Sequence, residues 1–205
     1  MRAAVLCLLG TAFRSACPPG VDPVRFGRAL AEDVADVLGT LSGVDTLVAA
    51  GPSTVDDAKA VAMPGVPILR VSTPDGAFAA LAELGFTEAA LFTADVPDLP
   101  ALLAAKPFSG LSISPAAVVP SHGAGLVALA ARLPRPGWLP VTVDLDTPDA
   151  LDRLRAAAPE PGDLAVAPAW RRLRTPTDVA GLDPALEGWE ATRALLSGGQ
   201  GGQGG

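Results

Sequence analysis

The chain has 205 residues, enough for one ordinary domain with a real core and too few for two full-sized ones. It is 49% hydrophobic and 18% charged, a balance that excludes intrinsic disorder. Fifteen basic against 22 acidic side chains leave a formal charge of −7, with only two lysines and dispersed arginines, which argues against nucleic acid or an anionic membrane as a partner.

No apolar run approaches the roughly 18 residues that a spanning helix needs. Met1-Arg2 followed by the apolar Ala3–Leu9 mimics a short signal peptide, but Arg14 breaks the small-residue cleavage region, so a buried first strand is expected and the cytoplasm is the default compartment. Cys7 and Cys17 have no metal spacing; Cys7 reads as a small core residue and a disulfide between the two is disfavoured. His122 is the only histidine, which excludes a histidine-rich zinc site.

In chain order, Ala3–Leu9 is the first predicted strand. Pro23 to Leu38 places Val24, Leu30, Val34 and Leu38 on one face of a helix. Strands follow at Thr46–Ala50, Pro67–Val71, Ala89–Thr93 and Ala116–Val119, with a short one at Leu164–Val166. Between them, Ser53 or Thr54 caps a helix running to about Ala62, and Ser72-Thr73-Pro74-Asp75 opens another before Ala77–Leu84. Thr147 is expected to cap a helix to Ala157, and Thr175-Pro176-Thr177-Asp178 starts one in the same style. Residues 1–196 read as one domain and 197–205 as a flexible Gly/Gln tail. Strand–helix alternation at this spacing means βαβ units, hence a three-layer α/β/α sandwich with a mainly parallel, Rossmann-like sheet and a ligand site beyond the carboxyl ends of its strands.

The candidate site residues therefore follow strands. Gly10 and Arg14, after the first strand, could cradle a phosphate, although a turn with one solvated arginine is the commoner outcome for such residues. Asp95, at the end of the fourth strand, and Asp98 suit a Mg²⁺ held by one or two carboxylates plus substrate phosphates, or else Asp95 is a helix cap. Asp144 and Asp146 share a face if their segment is extended, which suits a metal or a ribose, yet Asp146 and Thr147 are also helix-start residues. The Ser121-His122-Gly123-Ala124-Gly125 loop follows the fifth strand.

Val5-Leu6, Leu30-Ala31-Glu32-Asp33-Val34 and above all Ala94-Asp95-Val96-Pro97-Asp98-Leu99-Pro100 resemble nucleotide-diphospho-sugar transferases of the glycosyltransferase-A fold. Two branches come nearest: the small glycosyltransferases associated with radical-SAM proteins, with their GSDSPDLP motif, and the 2-phospholactate guanylyltransferases. The resemblance spans about residues 3 to 182. It implies a nucleotide at the carboxyl edge of the sheet, with a nucleoside triphosphate or nucleotide sugar as donor, an unidentified acceptor and a divalent metal. Asp95 falls on the first metal-binding aspartate and Asp98 on the motif's second acidic position.

Elsewhere the match is uneven. Gly125-Leu126-Val127-Ala128-Leu129 stands where the guanylyltransferases have GTNAL, and Phe13-Arg14-Ser15-Ala16 lacks the lysine of their first loop. The second metal aspartate normally belongs to a D-x-D-T-P-x-D-L segment. Asp144-Leu145-Asp146-Thr147-Pro148 matches its letters, but Asp146 follows Asp95 by only 51 residues; Arg172-Leu173-Arg174-Thr175-Pro176 lies at the more usual distance, with Arg174 79 residues on, and carries arginines in place of both acids.

Two functions stay open on these residues. In the first, a Mg²⁺-assisted transferase moves a glycosyl or nucleotidyl group, with Asp95 and Asp146 on the metal, Asp98 as a further acid, Gly10 and Arg14 on the phosphates, and Gly123 to Gly125 near the acceptor. In the second, the domain is catalytically silent and serves as a binding or scaffold module. Arg174 beside Asp95 would favour the second. Trp138, Trp170 and Trp189, all late in the chain, could mark either internal packing or a surface for a protein partner or a second copy.

Overall fold

A computed structural model describes residues 1–198; the part of the Gly/Gln tail from 199 on lies outside the described residues. Seven strands, β1 (Arg2–Leu8), β2 (Asp45–Ala50), β3 (Ile68–Arg70), β4 (Glu88–Thr93), β5 (Ala116–Pro120), β6 (Leu126–Arg132) and β7 (Leu164–Val166), form one sheet in the order β3-β2-β1-β4-β6-β5-β7. β1 pairs in parallel with β2 and β4, β3 with β2 and β7 with β5, whereas β6 runs antiparallel to both β4 and β5. The helices are α1 (Pro23–Gly39), α2 (Val55–Val61), α3 (Pro74–Glu83), α4 (Ala101–Ala104), α5 (Lys106–Leu111), α6 (Ala150–Ala157), α7 (Pro176–Ala180) and α8 (Glu190–Gly198).

β1 is central, so both of its faces are buried and its sequence reads as an unbroken apolar run. Ala4, Leu6 and Leu8 pack with Val34 and Leu38 of α1, Ala58 of α2, and Phe108 and Leu111 of α5. Ala3, Val5 and Cys7 face the other way, onto Phe78 and Leu81 of α3 and Ala150 and Leu154 of α6. These two cores on opposite sides of one sheet are the expected three-layer sandwich. A third cluster joins Phe26 and Leu30 of α1 to Leu173, Val179, Leu182 and Trp189, so Trp189 packs inside its own chain. Both cysteines are free, and Cys7 is buried.

Several local expectations are corrected. Residues 126–132, which in sequence offer only part of a motif segment, form the full strand β6 between β4 and β5. α6 begins at Ala150, because the Thr147 hydroxyl is engaged with Asp144 (3.0 Å) and caps no helix. Thr54 occupies the position before α2, but its hydroxyl donates to the Leu8 carbonyl, and so ties α2 to the end of β1. Thr73 and Thr175 cap as their sequences suggest, Thr175 in a reciprocal box with Asp178. Ser197 and Gly198 close α8. No helix among the described residues is long and apolar enough to cross a membrane.

Docking of α8 onto α1 uses a buried carboxylate. Asp33, 2% exposed, accepts from the backbone N–H groups of Ala191 (2.8 Å) and Thr192 (3.0 Å), satisfying donors in the first turn of α8. Burial pushes its carboxyl up to about 6, with nearby Glu190 adding to the rise against the hydrogen bonds that lower it. The folded chain therefore binds this proton more tightly than the unfolded one, and stability rises as pH falls from above 6 toward 4. Urea unfolding at pH 7.5 and pH 4.5 is expected to show wild type gaining on the order of 2–3 kcal/mol relative to Asp33→Asn over that interval. A difference between the two proteins that does not change with pH would contradict this assignment.

Candidate functional site

The carboxyl edge of the sheet gathers four segments around one guanidinium. Leu173 N–H donates to the Asp95 carbonyl (2.8 Å), which lays residues 172–174 along the end of β4. In this run Leu173 turns into the third core, while Arg172 and Arg174, two apart, both reach Asp95. Asp95 is wholly buried and the Arg172 side chain is 1% exposed.

Arg172 uses all five of its N–H groups. Its Nε donates to Asp95 Oδ1 (2.8 Å), and Nη1 to the carbonyls of Leu126 (2.9 Å) and Leu145 (2.6 Å). Its Nη2 donates to Thr93 Oγ1 (2.8 Å) and Asp146 Oδ1 (2.7 Å). The Thr93 hydroxyl in turn donates a hydrogen bond to Asp95 Oδ1 (2.8 Å). Arg174 adds a second cation: Nη2 donates to Asp146 Oδ1 (2.6 Å), and Nε stands 3.4 Å from Asp95 Oδ2, an oxygen with no hydrogen-bond donor of its own. Burial raises the Asp146 carboxyl, but the charges and hydrogen bonds of Arg172 and Arg174 outweigh it and hold the group below the usual range.

Both sequence alignments of the second acid thus converge in space. Asp146 and the arginine pair lie at Asp95 together, with guanidinium groups between the two carboxylates. The donor set does not fit a divalent metal. Mg²⁺ wants about six oxygens at ~2.0–2.1 Å. Here Asp95 Oδ1 and Asp146 Oδ1 are already committed to guanidinium N–H, and no group of three or more His, Cys, Asp or Glu side chains among the described residues could hold a metal ion.

Beside this cluster opens a cavity of about 480 Å³, lined by Cys7 of β1, by Leu9, Gly10 and Phe13 after that strand, Ser72 and Thr73 before α3, Thr93, and the 141–146 loop with Thr142, Asp144 and Asp146; Arg172 shows one edge to it. Of the residues singled out in sequence, Gly10, Asp144, Asp146 and Arg172 line this cavity. Arg14 does not: it pairs with Asp57 of α2, stacks over Phe13 (5.4 Å), and shares Asp57 with Arg28 (Nε–Oδ1 2.9 Å). Asp98 is held by Trp170 Nε1 (3.3 Å) and Arg171 Nε (2.9 Å) and faces a separate groove with Asp36 and Leu99. Gly123 is exposed and lines neither. Gly125, with φ +81°, is a packing requirement: a Cβ there would stand 2.5 Å from the Leu145 carbonyl oxygen and 3.1 Å from Arg172 Nη1. The hydroxyls of Ser72, Thr93 and Thr142 were not anticipated as lining residues. Only Thr93, a polar residue at the end of an apolar strand two before Asp95, carried a signal.

No family model matches the chain, and no curated protein matches it. Solved structures do. A candidate nucleotide-diphospho-sugar transferase from Desulfovibrio desulfuricans G20 superposes with a TM-score of 0.64 at 15% identity, covering 96% of this chain and 97% of that one. CMP:2-keto-3-deoxy-manno-octonic acid synthetase complexed with CTP gives 0.55 at 15% (96% and 98%). Rv0371c of Mycobacterium tuberculosis H37Rv, in complex with manganese, gives 0.51 at 16% (96% and 97%). The chain has the fold of the nucleotide-diphospho-sugar and nucleotidyl transferases.

Removing one partner of a buried ion pair leaves an uncompensated charge. Arg172→Ala is expected to lower unfolding free energy by roughly 3–5 kcal/mol in urea titrations, and Asp95→Asn combined with Arg172→Met to recover most of that loss. A loss below about 1 kcal/mol for Arg172→Ala would mean that water reaches Asp95 and that the pair is not buried as described.

Proposed function

We propose that this chain uses the transferase fold as a nucleotide-binding module that takes no divalent metal, in place of Mg²⁺-assisted transfer of a glycosyl or nucleotidyl group. The observation that carries this reading is Arg172, buried and fully hydrogen-bonded between Asp95 and Asp146. Metal-assisted transfer relies on an ion that binds carboxylates on one side and donor phosphates on the other, neutralising charge as it develops. A guanidinium supplies positive charge to the carboxylates, but once all five donors are engaged it has none left for a phosphate. The cavity retains what holds the rest of a nucleotide: the Gly10 backbone, the apolar walls of Leu9 and Phe13, and the Ser72, Thr73 and Thr142 hydroxyls. The nucleotide class of the ligand is suggested by the CTP-bound neighbour and by the cavity's place beyond the strand ends.

Differential scanning fluorimetry with the four nucleosides, GTP, CTP, UDP-glucose and GDP-mannose, each in MgCl₂ and in EDTA, tests it. A ligand that binds only the folded chain must raise Tm. At least one of these compounds is expected to raise Tm equally in both buffers, with Mn²⁺ alone producing neither a shift nor a change in its own free-ion electron paramagnetic resonance signal. A rise that needs Mg²⁺ and disappears in Asp146→Ala would restore the metal-assisted transferase, and no rise with any compound would remove the nucleotide reading.

A further inference from the structure

The charges around the cavity decide which part of a nucleotide it can accept. Its lining holds Asp144 and Asp146 against Arg172. Taking in Asp95 and Arg174, which touch the same cluster, three carboxylates face two guanidiniums, a formal balance of −1. Neither cation is free to turn toward a ligand at no cost. Arg172 is saturated, and Arg174 is anchored at both Asp95 and Asp146. The other source of positive potential is the first turn of α3, at the Ser72-Thr73-Pro74 wall. That turn carries its own Thr73 cap (Gly76 N to Oγ1, 3.1 Å) and Asp75, which is paired with Arg135. No lysine lines the cavity. With the Thr93 hydroxyl engaged by Asp95 and Arg172, what remains for a ligand beside the two carboxylates is neutral: hydroxyls from Ser72, Thr73 and Thr142, backbone at Gly10, and apolar contact with Leu9, Phe13 and Leu145.

We infer that the cavity selects against phosphate and takes an uncharged nucleoside-type ligand in preference to the mono-, di- or triphosphate of the same nucleoside. This rests on the reading of the cavity as a nucleotide-type site, and inverts the preference expected of a phosphate-handling enzyme. Asp146 is the specificity determinant: its Oδ1 holds both arginines, and its carboxylate supplies negative charge at the cavity wall.

The test is isothermal titration of the full chain in EDTA with cytidine, CMP and CTP, and with the guanosine, uridine and adenosine series. One net charge about 7 Å away in a water-like dielectric is worth about threefold per added negative charge, so each phosphate group is expected to weaken binding about three- to tenfold. Asp146→Asn keeps the acceptor oxygen and, at a half-exposed position, the fold. It is expected to erase that penalty, improving the triphosphate relative to the nucleoside about tenfold or more. Affinity that climbs with phosphate number in wild type would overturn the inference while leaving the cavity a nucleotide site. A phosphate penalty unchanged in Asp146→Asn would overturn the role given to Asp146. Silence across all four series would overturn the nucleotide reading itself.

Discussion

A carboxylate and a guanidinium taken out of water together cost several kcal/mol of solvation each, and the pair persists only where geometry and further hydrogen bonds return that energy. Arg172 meets this condition through five acceptors drawn from three places in the chain: Thr93 and Asp95 at the end of β4, the Leu126 carbonyl at the start of β6, and Leu145 and Asp146 in the loop before α6. None of these places is close in sequence to Arg172, so the guanidinium is a cross-brace for the carboxyl edge of the sheet. Lost solvation offsets much of the gain from these bonds, and what the brace supplies is one defined arrangement of segments that otherwise have little in common.

The neighbouring backbone is shaped to that brace. Gly125 adopts a left-handed conformation in which the chain passes within side-chain distance of the Leu145 carbonyl and of Arg172 itself. Its carbonyl accepts from Ser121 (3.1 Å) and its N–H donates to Pro148 (3.3 Å), while Leu126 N–H reaches Leu145 (2.8 Å). The entry to β6 is therefore locked to the 145–148 loop by backbone bonds, and the loop's acids are held where the arginines need them. The glycine that resembled part of a ligand-approach motif serves close packing against the brace.

Much of this fold was legible in the chain because central parallel strands are apolar on both faces and the helices between them carry clear caps. β6 was not. Leu126-Val-Ala-Leu-Ala-Ala-Arg132 has no period-2 alternation, being buried almost throughout, and its alanines suit a helix as well as a strand. The site was legible in its parts: Asp95, Asp146, Arg172 and Arg174 all stood out, yet they formed two competing alignments. Spacing along the chain cannot express that a loop before α6 and a segment after β7 arrive at the same strand end. Arg14 shows the converse. Nothing near it in sequence announces Asp57, 43 residues on and brought alongside by α2.

A divalent ion and a guanidinium are not equivalent ways of neutralising two aspartates. The ion exchanges, and it keeps coordination positions for ligand oxygens, so that charge on the protein side is matched by affinity on the ligand side. Arginine is permanent, since its pKa above ~12 rules out deprotonation, and its donors are finite in number and direction. Once five acceptors of the protein have taken all five, the positive charge still stabilises Asp95 and Asp146 but offers nothing to an incoming anion. On the proposed reading, an arginine brace at this edge of the sheet therefore separates two properties that a metal would join. On that reading the hydroxyl-lined and apolar walls of the cavity are left to hold a ligand without the attraction for phosphate that a metal would add.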